Sequence, residues 1–483
     1  MRAVHEWTVG EALAALGAGT LTAGAYLQAL LRQQAAWAGL NPYTAQNLDS
    51  VAAQALKSEQ LPRSRAPLAG IPIVVKDNID LEGYATTDGT PGLLHHLPRV
   101  TAPLLQIMID HGVFVLAKTG LHELAAGGTC ANLLFGSIRN PYDMRMVPGG
   151  SSGGTAAAVA ARLAPAGLGT DTAGSVRAPA AHCGCVGFRP TTGRYDRTGM
   201  VPGTSRRDTM GWITRCVSDI ELLDGYCGSR ATPAQQTSLR GLRLGVPRQH
   251  FYDSVDPSVA PVIEAALGRL QDAGADLVEA DIVSVGTLTA EVGGAIRREF
   301  PRDLREYLRY SGASTTAEQV IHAIADPQLS RGFEAALRIE QQTDEAYRAA
   351  VQIALPALQK AYAVYFRENR LHGLVVPTCP DPPYPVPEHP EQGGTGPVSM
   401  IRNTEPATLA GVPSLSVPAG LTGAGLPVGV QFEGPAGSDQ TVLRIGRLFE
   451  ELTEPLPAPR PPRPPEAPLL QEPRLRTARR SRQ

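Results

Sequence analysis

The strongest constraint on the fold is a run of small residues between positions 147 and 190. It opens with GGSSGG at 149–154 and continues through an alanine-rich segment at 155–161, which has high helix propensity and little side-chain bulk. A second glycine-rich segment, GLGTDTAGS, follows at 167–175. Small residues at this density let backbones approach closely and let N–H groups point at a ligand. We therefore expect two ligand-facing loops with a closely packed helix between them.

Each of these two segments carries a serine, Ser151 and Ser175, that could act as a nucleophile. A serine hydroxyl needs a base to become nucleophilic, and neither segment contains a histidine. His182 follows the second segment, but the stronger candidate base is Lys76, at the end of the apolar run GIPIVVK. A lysine at the end of a buried strand can lose its charge through desolvation. Lys76, Ser151 and Ser175 are therefore predicted to supply a base, a relay and a nucleophile, with the roles of the two serines left open.

The motifs GGSSGG and GLGTDTAGSVR resemble those of the amidase signature family of serine hydrolases, over residues 8–451. The resemblance implies an α/β fold in which helices cover both faces of a central, mixed and twisted β-sheet. It also implies that Ser175 is the acylated nucleophile, that Ser151 is a bridging serine after a cis peptide bond, and that Lys76 is the general base. No metal and no organic cofactor is implied.

Further site residues follow from the same resemblance. The backbone amides of Thr172, Ala173, Gly174 and Ser175 would form the oxyanion hole. Ala173 stands where the family usually has glycine, and its methyl group would restrict φ and narrow the loop. The expected role of two flanking charged residues, Asp171 and Arg177, is to fix this loop through charge-assisted hydrogen bonds rather than to break bonds.

The acyl pocket is expected to include Ala125, Ala126 and Gly127 as a roomy floor, with Ser151 also contacting substrate. The surrounding residues 122–142 look most like the mandelamide and indoleacetamide hydrolase branch of the family. Within them, His122 and Glu123 lack further metal-ligating partners, so a structural hydrogen-bonding role is favoured over a metal site.

Residues 208–211 are interpreted as a further turn of the family. Met210 within it and Trp212 just after it either shape the pocket or, as the default interpretation, pack in the core.

The predicted reaction is hydrolysis of a carboxamide C–N bond, with an aryl-acetamide or similar compound as substrate. Three alternatives stay open: a carbamate or anilide hydrolase with the same triad, an amidotransferase A-type subunit acting on charged tRNA, and a non-catalytic binding or scaffold protein. The formal net charge of −2 gives no sign of a nucleic-acid surface. The expected partner is therefore a small amide or carbamate, with no nucleic acid and no membrane, and the protein is expected to be a monomer or homodimer.

Composition suggests how the chain is divided into a domain and a tail. With 43% hydrophobic residues the chain can bury a large core, and we assign residues 1–454 to one domain. Within that domain, residues 281–369 form a strongly helical insert that is expected to shape substrate choice. The tail at 455–483 is rich in proline and carries seven arginines and two glutamates, so it is predicted to be disordered.

Cysteine usage and hydropathy point to a reducing compartment. The six cysteines lack zinc-site spacing and are expected to be buried or partly buried free thiols. There is no signal-peptide pattern and no long apolar run, so a cytoplasmic location is predicted.

Periodicity and turn residues predict the main elements. Helices are expected at 8–16, 22–37, 102–111, 256–273 and 438–452, and strands at 67–80, 113–118, 242–246, 276–279 and 374–378.

Overall fold

A computed structural model describes residues 2–227, 237–340, 345–389, 394, 396, 397 and 399–462. The strands are β1 Tyr43–Ala45, β2 Pro72–Lys76, β3 Phe114–Thr119, β4 Ala131–Asn132, β5 Gly136–Ser137, β6 Ala166–Asp171, β7 Val186–Arg189, β8 Thr209–Thr214, β9 Arg243–Gly245, β10 Asp276–Val278, β11 Gly373–Pro377, β12 Ser414–Leu421 and β13 Pro427–Glu433.

Within the described residues, eleven of these strands form one sheet, in the order β1-β3-β2-β6-β8-β7-β12-β13-β11-β9-β10. The pairs β2–β3, β2–β6, β9–β10 and β9–β11 are parallel, and the other pairs are antiparallel. The predicted mixed α/β sheet is therefore confirmed. Its two parallel portions explain the alternation of strand and helix in the sequence, because parallel neighbours need a crossover connection.

Helices flank this sheet. They are α1 Val9–Gly17, α2 Ala23–Ala36, α3 Leu48–Glu59, α4 Pro103–Asp110, α5 Gly153–Ala160, α6 Arg177–His182, α7 Val217–Cys227, α8 Ala260–Asp272, α9 Val285–Ile296, α10 Phe300–Ser311, α11 Ala317–His322, α12 Pro327–Ile339, α13 Glu345–Ala349, α14 Leu355–Glu368, α15 Ser399–Arg402, α16 Glu405–Ala410 and α17 Asp439–Glu450. Thr8 caps α1 through a reciprocal pair of hydrogen bonds with Glu11, as its sequence pattern predicts.

The alanine-rich helix α5 lies against the strands β2, β3, β6 and β8, and all of its residues are buried. Glycine at two positions of β6 makes this contact possible. A Cβ atom at Gly167 would lie 2.4 Å from the Thr155 side chain, and one at Gly169 would lie 2.9 Å from the Ser152 hydroxyl oxygen. The second glycine-rich segment is therefore a buried strand as far as Asp171, and the loop begins only at Thr172.

The structure corrects two further sequence expectations. The strand predicted at 67–80 is shorter, because β2 covers only Pro72–Lys76. The turn predicted at 208–211 is wrong, because Thr209 begins the buried strand β8. Its glycine serves close packing, since a Cβ atom at Gly211 would lie 2.4 Å from the Phe188 carbonyl oxygen of β7.

Most of the described residues between 281 and 369 lie in helices, and part of this segment forms a hydrophobic cluster separate from the sheet core. We call the buried apolar side chains centred on α10 and α11 the insert cluster; they are Leu93, Leu124, Val201, Phe300, Leu304, Tyr307, Leu308, Ala317, Val320, Ile321, Ile324 and Leu329. Most of them come from residues 300–329, and a few come from loops that follow β2, β3 and β7.

Residues 455–462, the start of the predicted tail, contain no helix or strand. The Tyr142 hydroxyl donates to the Pro457 carbonyl oxygen at 3.1 Å. Residues 463–483, where most of the predicted disorder falls, lie outside the described residues.

All six cysteines are free thiols, five of them buried and Cys216 half-buried, as expected. Among the helices that the structure describes, none combines the length and the apolar character needed to cross a bilayer.

Candidate active site

Lys76 ends β2 with its side chain fully buried. Its Nζ donates to Ser151 Oγ at 2.7 Å and to Thr170 Oγ1 at 2.8 Å. Burial lowers the pKa of Lys76 to about 8, while the nearby Asp88 carboxyl acts in the opposite direction. The predicted base and the predicted bridging serine are therefore in direct contact.

Ser151 follows a cis peptide bond with Gly150 and is fully buried. The glycine before it avoids crowding, because a Cβ atom at Gly150 would lie 3.0 Å from both Cys130 Sγ and the Gly127 carbonyl oxygen. The Cys130 thiol also donates to the Ser151 carbonyl oxygen at 3.4 Å. This packing fixes the backbone that carries the serine.

Ser175 lies between β6 and α6 on the wall of a cavity, with 8% of its surface exposed. Its carbonyl oxygen accepts from the Ser152 N–H at 3.1 Å, and the Ser152 hydroxyl donates to the Thr170 carbonyl oxygen at 3.1 Å. These bonds join the two serine-bearing segments. The structure thus brings Lys76, Ser151 and the loop of Ser175 into one site.

Asp171 anchors the loop that carries Ser175. It accepts from the Gly174 N–H at 2.9 Å and the Val176 N–H at 3.2 Å. It also accepts from Arg177 through Nε and Nη2, at 3.0 Å each, and from Arg189 Nη1 at 3.2 Å. Although burial alone would raise the pKa of Asp171, the two guanidinium groups hold it well below its usual range. The carboxylate is therefore charged and tied to the loop on several sides.

The four backbone amides that were predicted to bind an oxyanion do not all have a free N–H group in this loop. Because the Gly174 N–H is engaged by Asp171, the donors left for an oxyanion are those of Thr172, Ala173 and Ser175. Gly174 has a φ of 126°, and a Cβ atom there would lie 2.0 Å from Thr404 Oγ1. Ala173 does not have a positive φ, so its methyl group is accommodated without backbone strain, and its carbonyl oxygen accepts from Thr404 Oγ1 at 2.6 Å.

The cavity beside Ser175 has a volume of about 320 Å³. Ala125, Ala126 and Gly127 line it, as the sequence predicted, whereas the fully buried Ser151 does not, and Gly150 forms that part of the wall. Gly127 is required there because a Cβ atom would lie 2.3 Å from His122 Nε2.

Residues between 281 and 369 supply another part of the cavity wall. Phe300 and Phe333 line the cavity with ring centroids 4.3 Å apart. Leu329 and Ala336 add further apolar surface, and Arg297 adds a charge. The cavity is therefore largely apolar and aromatic on this side.

Sequence analysis did not identify four residues of this region, Thr170, Asp88, Arg207 and Arg297. Thr170 lies in the motif GLGTDTAGS, but it was interpreted as a loop residue rather than as a hydrogen-bond partner of Lys76. The Asp88 carboxyl is fully buried without a hydrogen-bond partner in the structure, and burial raises its pKa well above the usual range. Its position in a turn soon after the lysine-bearing strand was the available signal.

Structural roles account for the remaining candidates. Glu123 accepts from the Ala325 and Asp326 N–H groups at 2.9 Å each, and His122 lies 3.3 Å from Thr129 Oγ1. The described residues contain no group of side chains that could hold a metal ion. Met210 and Trp212 are buried in the sheet core and do not line the cavity, so the default interpretation of both is confirmed.

Comparison with known proteins decides the family. Residues 25–443 match the sequence model of the family described as Amidase. The chain belongs to the amidase family. It is 42% identical to the indoleacetamide hydrolase of Allorhizobium ampelinum over 393 residues, which cover 80% of this chain and 85% of that one. It is 35% identical to the mandelamide hydrolase of Pseudomonas putida, with 93% and 92% covered.

Comparison with a solved structure supports the same family assignment for this amidase. The native peptide amidase from Stenotrophomonas maltophilia superimposes with a TM-score of 0.80 at 27% identity, covering 94% of this chain and 99% of that chain. The sheet with its flanking helices is thus that of an amidase, and the protein is an enzyme that hydrolyses amide C–N bonds.

Proposed function

We propose that this amidase hydrolyses the carboxamide of an aryl-acetamide or a similar compound through Ser175, Ser151 and Lys76. The observation that carries the proposal is the 2.7 Å contact between Lys76 Nζ and Ser151 Oγ at a buried lysine whose pKa is lowered to about 8. A lysine in this state can accept a proton near neutral pH.

The proton path follows from this contact. Neutral Lys76 accepts the proton of the Ser151 hydroxyl, and Ser151 accepts that of Ser175 as Ser175 Oγ bonds to the carbonyl carbon. The N–H groups of Thr172, Ala173 and Ser175 hold the negative oxygen that forms, and one such donor contributes about 2.7–4 kcal/mol in other hydrolases.

Collapse of this intermediate breaks the C–N bond, and the proton returns through Ser151 to the leaving amine. Water then attacks the acyl ester and gives up a proton along the same path. Ser175 is regenerated and the carboxylic acid leaves.

Two features support an aromatic acyl group. The Phe300–Phe333 pair offers ring faces and edges to an aryl group inside the cavity. The relatives named indoleacetamide hydrolase and mandelamide hydrolase act, by those names, on amides that bear an aromatic ring.

The test is a hydrolysis panel with purified protein: phenylacetamide, mandelamide, indoleacetamide, an acyl anilide and an aryl carbamate. We expect fast release of ammonia from the primary amides, lost in Ser175→Ala and Lys76→Ala. Ser416→Ala, a buried serine elsewhere in the sheet, is the matched control that retains activity.

Labelling by a fluorophosphonate, located by mass spectrometry, should fall on Ser175. Preference for the anilide or the carbamate would contradict the aryl-acetamide proposal. Wild-type turnover by Ser175→Ala would contradict the mechanism.

A further inference from the structure

One end of the substrate cavity carries polar groups that lack partners. Thr204 Oγ1 and Arg207 Nε are buried and make no hydrogen bond in the described structure, and both residues line the cavity. Arg297 also lines it and makes no hydrogen bond or ion pair with the described residues. The exposed guanidinium of Arg297 is the group that a ligand in the cavity can reach directly, and the buried Arg207 lies beside it.

The charge at this end is positive. Arg207 Nη1 pairs with Glu405 Oε1 at 2.5 Å, which leaves the charge of Arg297 without a bonded carboxylate among the described residues. The neighbouring Asp208 carboxyl accepts from the N–H groups of Gly203 and Thr204 at 2.8 Å each, and burial raises its pKa. Two guanidinium groups, those of Arg207 and Arg297, therefore lie near two carboxyl groups. Glu405 is paired with Arg207, and Asp208 accepts hydrogen bonds from the backbone N–H groups of its own turn.

This cationic end lies close to the nucleophile loop. Thr172, in that loop, donates to Asp208 Oδ1 at 2.8 Å, and Asp208 belongs to the same turn as Thr204 and Arg207. Ser175, Thr172 and Arg297 all line the same cavity of about 320 Å³. A single small molecule can therefore present a carbonyl carbon to Ser175 and another group to the arginines.

We infer that the amide substrates of this enzyme carry a carboxylate, bound by Arg297 with the positive charge of Arg207 beside it. A planar carboxylate matches the paired N–H groups of a guanidinium, and Arg297 offers such groups at the cavity wall. The inference rests on the proposed reaction at Ser175 only for the position of the scissile bond.

The test compares 3- and 4-carboxyphenylacetamide with 3- and 4-nitrophenylacetamide, since a nitro group has the shape of a carboxylate but no charge. In the wild type we expect kcat/KM of at least one carboxylated isomer to exceed that of its nitro counterpart by about tenfold or more, from charge-assisted hydrogen bonds. Arg297→Met should reduce this ratio about tenfold, mainly through KM, and Arg297→Lys should retain part of it.

Arg309→Met, an exposed arginine on α10 outside the cavity lining, is the matched control and should keep the wild-type ratio. A wild-type ratio near or below one for both isomers, or the same ratio in Arg297→Met, would overturn the inference.

Binding without turnover separates this inference from the proposed function. In a Ser175→Ala background, calorimetry should show that 3- or 4-carboxyphenylacetamide binds about tenfold more weakly once Arg297 is also replaced by methionine. If binding depends on Arg297 but the wild-type protein cleaves no amide, the proposed reaction is contradicted and the carboxylate site is supported. Rapid cleavage of nitrophenylacetamides, together with carboxyphenylacetamide binding that does not depend on Arg297, would contradict the carboxylate site and leave the proposed reaction in place.

Discussion

Arg177 and Asp171 are joined by two hydrogen bonds of 3.0 Å each, and both side chains are fully buried. The same arginine donates from Nη1 to Gln431 Oε1 at 3.0 Å and from Nη2 to the Thr404 carbonyl oxygen at 2.9 Å. It therefore connects the loop of Ser175 to β13 and to the residue just before α16.

Replacing Arg177 by methionine should weaken both the fold and the reaction. Removing one partner of a buried pair costs about 3–5 kcal/mol of unfolding free energy, and the loop held by Asp171 loses an anchor. We expect kcat per folded molecule to fall by about tenfold or more because the N–H groups of the loop are displaced. Denaturant unfolding and steady-state kinetics measure the two effects.

The control for this variant is Arg194→Met, which breaks the pair between Arg194 and Asp224 away from the cavity. It should also lower stability but leave kcat per folded molecule close to wild type. Equal kcat values in the two variants would show that Arg177 does not position the loop.

The pH dependence should follow the Lys76 pKa of about 8. Only the neutral amine accepts the Ser151 proton, so kcat/KM should rise about tenfold per pH unit below pH 8 and level off above it. The measurement is kcat/KM for phenylacetamide between about pH 5.5 and 9.5. Activity that falls as the pH rises through 8 would exclude Lys76 as the base.

Thr170→Val should reduce catalysis without removing the triad. The Thr170 hydroxyl accepts from Lys76 Nζ at 2.8 Å, so its loss frees the amine to leave its place beside Ser151. We expect kcat to fall by about five- to twentyfold, with KM little affected. Thr214→Val, a buried threonine at the other end of the β6–β8 pairing, is the matched control. Similar losses of kcat in both variants would refute a specific role for Thr170.

Gly174→Ala should abolish turnover. The added methyl group would lie 2.0 Å from Thr404 Oγ1, and its φ of 126° is outside the regions open to alanine. We expect a loss of at least about a hundredfold in kcat, because the loop must move away from the oxyanion position.

Gly193→Ala supplies the comparison for Gly174→Ala, since that glycine also has a positive φ, 86°, but open space around its Cβ position. It should lower stability by about 1 kcal/mol and spare kcat. An active Gly174→Ala enzyme would mean that the loop tolerates a different backbone conformation.

The parts of the site that could be predicted are those carried by continuous motifs. Lys76, Ser151 and Ser175 were selected as candidates because each stands in a short pattern whose chemistry is local. Arg207 and Arg297 were missed because nothing in the sequence relates residue 297 to residue 207. Arg297 lies between α9 and α10 and Arg207 lies just before β8, and only the folded chain brings both to one cavity.

Glycine caused the main errors in the fold prediction. In a sequence, a glycine that permits a turn and a glycine that permits close packing look alike. Gly211 and Gly169 are of the second kind, since each lies in a buried strand where a Cβ atom would clash with a neighbour. The loop predicted across β6 follows from this ambiguity, whereas the turn at 208–211 was predicted from the family resemblance.

The separate hydrophobic packing of the insert cluster has a consequence for how this enzyme can change. Phe300 and Leu329 both line the cavity and belong to that cluster, whereas Lys76 and the serines are held by the sheet and by α5. Substitutions in the cluster can therefore remodel the wall of the cavity while the atoms that perform the chemistry stay in place. Because the cavity wall and the catalytic atoms belong to separately packed parts, substitutions that are tolerated one at a time can change which amide the enzyme hydrolyses. Hydrolysis itself is retained at each step.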